Sequence, residues 1–347
     1  ILPEHWQMVV GKDKKKQFYR LTSVVCHSLS DVPDIIDTLN EGKVADVEGY
    51  YENAKINRVY VDRVHVKKAF AEYTAAYNAD DPKIKLKIDH TYRVAALCER
   101  IAKAAGMCAY DVELAWLSGM LHDVGRFEQI KRYNTFSDAD SVDHAKFGAD
   151  LLFKDGLIST FLNGMVKCTG YKPGALENRY SSDGVFLYDR LNKSDMEILE
   201  LAIRCHNMYR IPQGLNSREQ AFCNVLRYAD KVDIFKVNID TPLEEIYNTT
   251  TEELMKSDIT DEVLEAFDEE HCILKAIRRT PADTVIGHVS LAYELVYDES
   301  VRITVEQGYL AKLMHFHSDN EETNRKMAMV REKMDSYVKK RIGEKDA

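Results

Sequence analysis

The stretch LSGMLHDVGRF, Leu117–Phe127, joins an apolar run to a histidine-aspartate pair. Leu114, Leu117, Met120 and Leu121 recur at helical spacing, which predicts the buried face of a helix. His122 and Asp123 stand at the end of that face. An unpaired carboxylate in a core costs several kcal/mol, so Asp123 needs a partner.

The neighbouring sequence is helical in period on both sides. HVKKAFAEYTAAY, KIDHTYRVAALCERIAKAAG, VELAWLSGMLHDVG and DHAKFGADLLFKDG predict successive helices. Asp111 is a candidate cap for the third of these. Ser194 with Glu197, and Ser217 with Gln220, have capping-box spacing before two more helices. Helical patterns continue after residue 240, through PLEEIYNTTTEELMK, ITDEVLEAFDEEHCILKAIRR and a charged terminal helix from about residue 320. The fold class expected is all-α, a helical bundle over residues 66–240 with further helices packed on it over 241–347. Residues 1–65 read as a small mixed extension. In it, INRVYVDRVHV alternates like a strand and VPDIIDTLNEG looks like a short helix. Two polar connections, 131–142 and 170–184, are long for bundle turns and suit binding loops.

Four more polar residues repeat the oddity of the opening stretch. His90 shares a helical face with Val94, Leu97 and Ile101, and His144 one with Gly148 and Leu151. His206 follows Leu199, Ala202 and Ile203, and Asp230 follows Phe222, Cys223 and Leu226. Any one of these has an ordinary explanation, since a core histidine is usually bonded to a carbonyl. Together, four histidines and two aspartates on core faces would each need a private partner. A metal centre with inward-facing ligands satisfies all of them at once. Imidazole and carboxylate without thiolate suit divalent Fe, Mn, Co, Ni, Zn or Mg. Six ligands exceed the need of one tetrahedral ion and suit two, with Asp123 as the carboxylate able to bridge.

Composition narrows the partners. The chain has 347 residues, a formal net charge of −10 and a pI near 5.6. Such a chain repels a phosphate backbone at long range, which disfavours a long nucleic acid as partner. A small anionic substrate remains compatible, because bound cations make a local positive site. The seven cysteines are scattered without a C-x-x-C pair and read as reduced. No apolar run reaches membrane-spanning length, and the first residues lack a signal-peptide layout, so no membrane partner and a cytoplasmic location are expected.

The order His90, His122-Asp123, His144, His206, Asp230 resembles the HD-domain superfamily of metal-dependent phosphohydrolases. The contexts DHTYRVA, GMLHDVGRFEQ, DHAKFGADLL and RYADKVD carry the resemblance, which covers residues 66–240. It implies that His90, His122, Asp123 and Asp230 hold a first metal, and Asp123, His144 and His206 a second. No G-Y-P tripeptide follows, so cyclic dinucleotides are not carried over as substrate. The activity implied is hydrolysis of a phosphoester in a nucleotide or other small phosphorylated metabolite by a metal-bridging hydroxide. Some relatives with a similar ligand set are mixed-valent di-iron oxygenases, and that is the alternative reading. A metal-stapled binding module is a third. Arg126, three residues after Asp123, is the first candidate to meet phosphate and to act in catalysis with Asp123. Lys146, Lys231 and Arg93 adjoin ligand positions and are further candidates. The C-terminal helices could close the site or support a homo-oligomer.

Overall fold

A computed structural model describes residues 6–12, 15–21, 61–78, 80–162, 167–169, 185–187, 193–247 and 249–343. In chain order the elements are β1 (Trp6–Lys12), β2 (Lys15–Leu21), α1 (Arg63–Thr74), α2 (Pro82–Ala104), α3 (Ala109–Leu121), α4 (Val124–Tyr133), α5 (His144–Ala149), α6 (Ile158–Leu162), β3 (Lys167–Thr169), β4 (Val185–Leu187), α7 (Lys193–Cys205) and α8 (Ser217–Asp240). Then follow α9 (Leu243–Tyr247), α10 (Thr251–Lys256), α11 (Asp261–Asp268), α12 (Pro281–Val289), α13 (Asp298–Gln307), α14 (Tyr309–Met314) and α15 (Glu321–Ile342). Among the described residues the fold is all-α apart from two small hairpins. Contacts divide the chain into one unit of residues 1–67 and 160–191 and another of 68–159 and 192–347.

The first unit holds the hairpins. β1 and β2 pair antiparallel from Trp6 opposite Leu21 to Lys12 opposite Lys15. β3 and β4 pair antiparallel from Lys167 opposite Leu187 to Thr169 opposite Val185. The strand predicted over INRVYVDRVHV is corrected in its second half, where Arg63–Val66 open α1. Asp62 decides this locally, because its carboxylate accepts the amides of Val64 and His65 and so satisfies the first helical turn. Residues 56–60, the helix expected at 32–42 and the polar connection 170–184 lie outside the described residues.

The second unit is built on α2 and α3. Asp81 caps α2 by accepting the Lys83 amide, and Pro82 takes the first helical position, where its missing N–H costs nothing. Ile84, Val94, Leu97, Cys98 and Ile101 form its buried face. Every residue of α3 from Leu114 to Leu121 is buried, so this helix is the centre of the bundle. Fully burying one of its leucines is worth roughly 1.5–3 kcal/mol. Gly119 lets α2 and α3 touch, since a Cβ there would lie 2.6 Å from Ala95 Cα.

The caps differ from those expected, each by a few residues. Asn216, not Ser217, caps α8, and Glu219 completes the box. The Asn216 side chain accepts the Arg218 and Glu219 amides, which leaves Ser217 inside the first turn. Ser194 also lies inside its helix. Asp111 sits in the first turn of α3 rather than before it. There it receives Arg218, whose other contact is buried Asp195 of α7, so one guanidinium ties α3, α7 and α8.

The C-terminal helices pack on this core. Arg100 of α2 pairs with Glu299 and Glu306 of α13, and Lys236 of α8 with Tyr309 of α14. Met327, Val330 and Met334 form the buried face of α15. Among the described residues no helix is long and apolar enough to cross a membrane.

Candidate metal centre

His90 lies in the middle of α2, and Asp230 in the middle of α8. The other four singled-out residues lie at helix ends. His122 and Asp123 form the two-residue break between α3 and α4. His144 opens α5, held there by Asp143, whose carboxylate accepts the Lys146 amide. His206 follows the last residue of α7. The break at His122-Asp123 does not depend on the glycine that follows it, Gly125. Gly125 is helical, and its missing side chain admits α5: a Cβ there would meet His144 O at 2.5 Å and Gly148 N at 2.7 Å.

All six residues converge. His90, His122, Asp123, His144 and His206 are each at most 5 % exposed. One donor atom from each of His90, His122 and Asp123 lies within 4.8 Å of the others, and the same holds for Asp123, His144 and His206. The two oxygens of Asp123 divide between these groups. Oδ2 is 3.5 Å from His90 Nε2 and 3.4 Å from His122 Nε2. Oδ1 is 3.6 Å from His144 Nε2 and 3.9 Å from His206 Nε2. Asp230 Oδ1 joins the first group, 3.1 Å from His90 Nε2.

The outer nitrogens fix the tautomers. His122 Nδ1 donates to Gly119 O and His206 Nδ1 to Ile203 O, each at 2.7 Å. His90 Nδ1 donates to Asp233 at 2.6 Å and His144 Nδ1 to Asp138 at 2.7 Å. All four Nδ1 atoms therefore carry hydrogen, and all four Nε2 atoms of the neutral rings present lone pairs inward. His90 and His122 face each other Nε2 to Nε2 at 3.3 Å, and His144 and His206 at 3.1 Å. Opposed lone pairs repel unless a cation lies among them. Asp123 Oδ1 is also buried with no hydrogen-bond donor. The donor set thus fits divalent cations, and carboxylate-backed histidines are the usual outer layer of such sites.

Charge in the cluster is balanced residue by residue. Burial pushes the Asp123 carboxyl up, but Lys87, His122 and His144 outweigh it and hold it well below the usual range. Burial also works against Asp230 and Asp233, and the His90 imidazole beside each of them outweighs it. Burial opposes charge on His90 too, yet Asp230 and Asp233 raise its pKa. His144 is lowered by burial and Arg126, and His206 falls to about 3 through burial beside His144 and His122. Cys98 and Cys205 are pushed up by burial, which keeps them thiols.

The cations take separate places. Arg126 gives one nitrogen to Gln129, Phe136 O and Asp138, and its Nε lies 3.9 Å from Asp123 Oδ1. Arg93 grips Asp233 with two bonds of 2.6 and 2.9 Å. Each carboxylate behind a histidine therefore has its own arginine. Lys146 pairs with Asp143 on an open surface, its side chain 60 % exposed. Lys231 is buried and turned to Glu294.

Sequence reasoning missed Lys87, Asp233, Asp138 and Asn207. Lys87 lies one turn before His90 and reaches Asp123 Oδ2 at 2.7 Å. Asp233 lies one turn after Asp230, so both were within reach of a face-by-face reading. Asp138 and Asn207, which bond each other at 3.3 Å, sit in connections without any period. Asp138 and Asp143 also lie near His144, but their oxygens already accept from His144, Asn207 and Lys146.

A family model described as HD domain matches residues 88–260. No curated protein and no solved structure matches the chain. The matched span encloses His90, the His122-Asp123 pair, His144, His206 and Asp230, and through it the chain belongs to the HD-domain family.

Proposed function

We propose that the chain is a phosphohydrolase that cleaves a phosphoester in a nucleotide or other small phosphorylated metabolite, with two divalent ions bridged by Asp123. HD domains bind divalent metals and are generally metal-dependent phosphohydrolases, so the coarse class follows from the family. The observation that carries the finer reading is the division of Asp123: Oδ2 faces the His90–His122 pair and Oδ1 the His144–His206 pair. In this assignment His90, His122, Asp123 and Asp230 hold one ion, and Asp123, His144 and His206 the other. Bound there, such ions supply Lewis-acid contact to phosphoryl oxygens and a water acidic enough to ionise near neutral pH.

The residues of the chain supply the remaining work. Asp233 and Asp138 fix the ring orientation of His90 and His144. Arg93 acts through Asp233, and is a positioning residue. Lys87 and Arg126 flank Asp123 on opposite oxygens and both lie against the Phe136 ring, at 5.5 and 5.8 Å. They are the cations placed to meet an anionic substrate, and Lys146 and Lys231 stand further out.

The test is metal analysis of anaerobically purified protein, followed by a screen for phosphate release from nucleotides and phosphorylated metabolites with Mn or Co and no oxygen. Two ions per chain, and release that disappears in Asp123→Asn, are expected. Oxygen uptake by an iron-loaded protein with no phosphate release would replace this reading with the oxygenase one.

A further inference from the structure

A second polar strip runs along α8 beside Asp230. Arg227 and Lys231, four residues apart on one face, both pair with Glu294 in the helical turn Ser290–Glu294. Arg227 also donates to Tyr209 O, and Tyr209 Oη donates to Cys272 O. Arg278 donates to the next carbonyl, Ile273 O. Three cationic side chains thus gather about Tyr209 and the Cys272–Ile273 segment, with Glu294 as the carboxylate bonded there.

The other nearby carboxylates are occupied. Asp283, which acts on Arg278 electrostatically, accepts the amides of Thr260, Arg279 and Thr280. Asp230 belongs to His90. Arg227 is 5 % exposed and Lys231 8 %, and the Nε atoms of Arg227 and Arg278 are buried without a partner. Burying charge without pairing is strongly unfavourable. Burial drives the pKa of Arg227 and Arg278 down. The cluster is short of negative charge and of acceptors. Tyr209 and Arg278 are only half-buried, which leaves the cluster an approach from solvent.

Two further features give this cluster a purpose. Gly287 makes room for Arg278, since a Cβ there would lie 2.3 Å from its Nε and its guanidinium carbon. The cluster also borders the metal donors in sequence at both sides. Lys231 directly follows Asp230, and Tyr209 is three residues after His206. Arg227 precedes Asp230 by three residues, an axial rise of about 4.5 Å on a helix.

We propose that Arg227, Lys231 and Arg278 form an anion subsite beside the metal centre that binds a second phosphate of the substrate. A phosphate accepts from two guanidinium groups at once, which suits the pair Arg227 and Arg278. The class of substrate is then a small metabolite with two separated phosphate groups. The word substrate rests on the phosphohydrolase reading; the anion site does not.

Isothermal titration of the full chain with inorganic phosphate, after chelation of metals, separates the two. One phosphate per chain is expected, weakened at least tenfold by Arg278→Gln. Gly287→Ala keeps every charge but displaces the guanidinium, and the same weakening is expected, with an unchanged circular dichroism spectrum. With Mn restored, the ratio of kcat/KM for bisphosphorylated over monophosphorylated metabolites should fall about tenfold in both variants. No phosphate binding to the chelated chain, or binding that survives both substitutions, overturns the subsite even if the enzyme releases phosphate. Weakened binding with an unchanged ratio makes it a site for a free anion and overturns its assignment to substrate.

Discussion

Asp123 is the residue on which the centre depends, because each of its oxygens faces a different pair of imidazoles. Asp123→Asn keeps the shape and removes the charge and one acceptor. Metal content should fall to below one ion per chain, and activity by at least a hundredfold, as measured by elemental analysis and phosphate release. Asp233→Asn is a gentler change. It leaves His90 in place but weakens the acceptor behind it, and a loss of ~10–100-fold in metal affinity is expected from the usual effect of such outer partners. An affinity equal to that of the parent chain would mean that Asp233 serves only Arg93. At this scale the sequence was informative for the inward-facing residues, since a histidine or aspartate on an apolar face is visible by periodicity. It was silent on Asp138, whose position depends on a connection with no period.

Helix ends, rather than helix faces, position most of the donors. The α3–α4 break holds two of them, and the α4–α5 approach holds a third. Gly125→Ala would drive a Cβ into backbone atoms of His144 and Gly148, which cannot rotate away. A loss of about 1–3 kcal/mol is expected, as for overpacked cores, with metal lost first from the His144 side. Thermal unfolding and metal stoichiometry together check this. Gly106→Ala is the contrast: nothing lies within 4 Å, but φ is +73°, so about 1 kcal/mol is lost with metal content unchanged. Arg218→Ala removes the tie among α3, α7 and α8 and leaves buried Asp195 without its arginine. Breaking a fully buried pair costs roughly 3–5 kcal/mol, and with Arg218 a third exposed about 2 kcal/mol is expected from denaturant unfolding.

For the whole molecule, protons and metals compete with the native fold in a defined pH window. His288 packs against Tyr247, and burial with help from Arg278 and Lys275 lowers its pKa to about 3. The unfolded chain takes up this proton near pH 6.5, the folded chain only near 3. The stability it contributes is therefore complete above about pH 6.5 and is lost as pH falls towards 3. The melting temperature of the chelated chain should drop over that range, and less steeply in His288→Gln. His144 and His206 act in the same direction, whereas His90, whose pKa is raised, opposes them. Restoring divalent metal should raise the melting temperature in proportion to the logarithm of its concentration, because only the folded chain assembles the donors.

Sequence alone determined the helical class and the apolar faces, and it singled out the six polar residues on them, because each of these follows from local period and residue chemistry. The strand pairs β1–β2 and β3–β4 and the exact caps escaped it, since pairing and capping depend on atoms brought in by neighbours. Only the tertiary structure decided which carboxylate backs which histidine, that Lys87 and Arg126 address opposite oxygens of Asp123, and that Arg227 and Lys231 meet at one glutamate. Those relations join residues up to 143 positions apart, and no local period connects them.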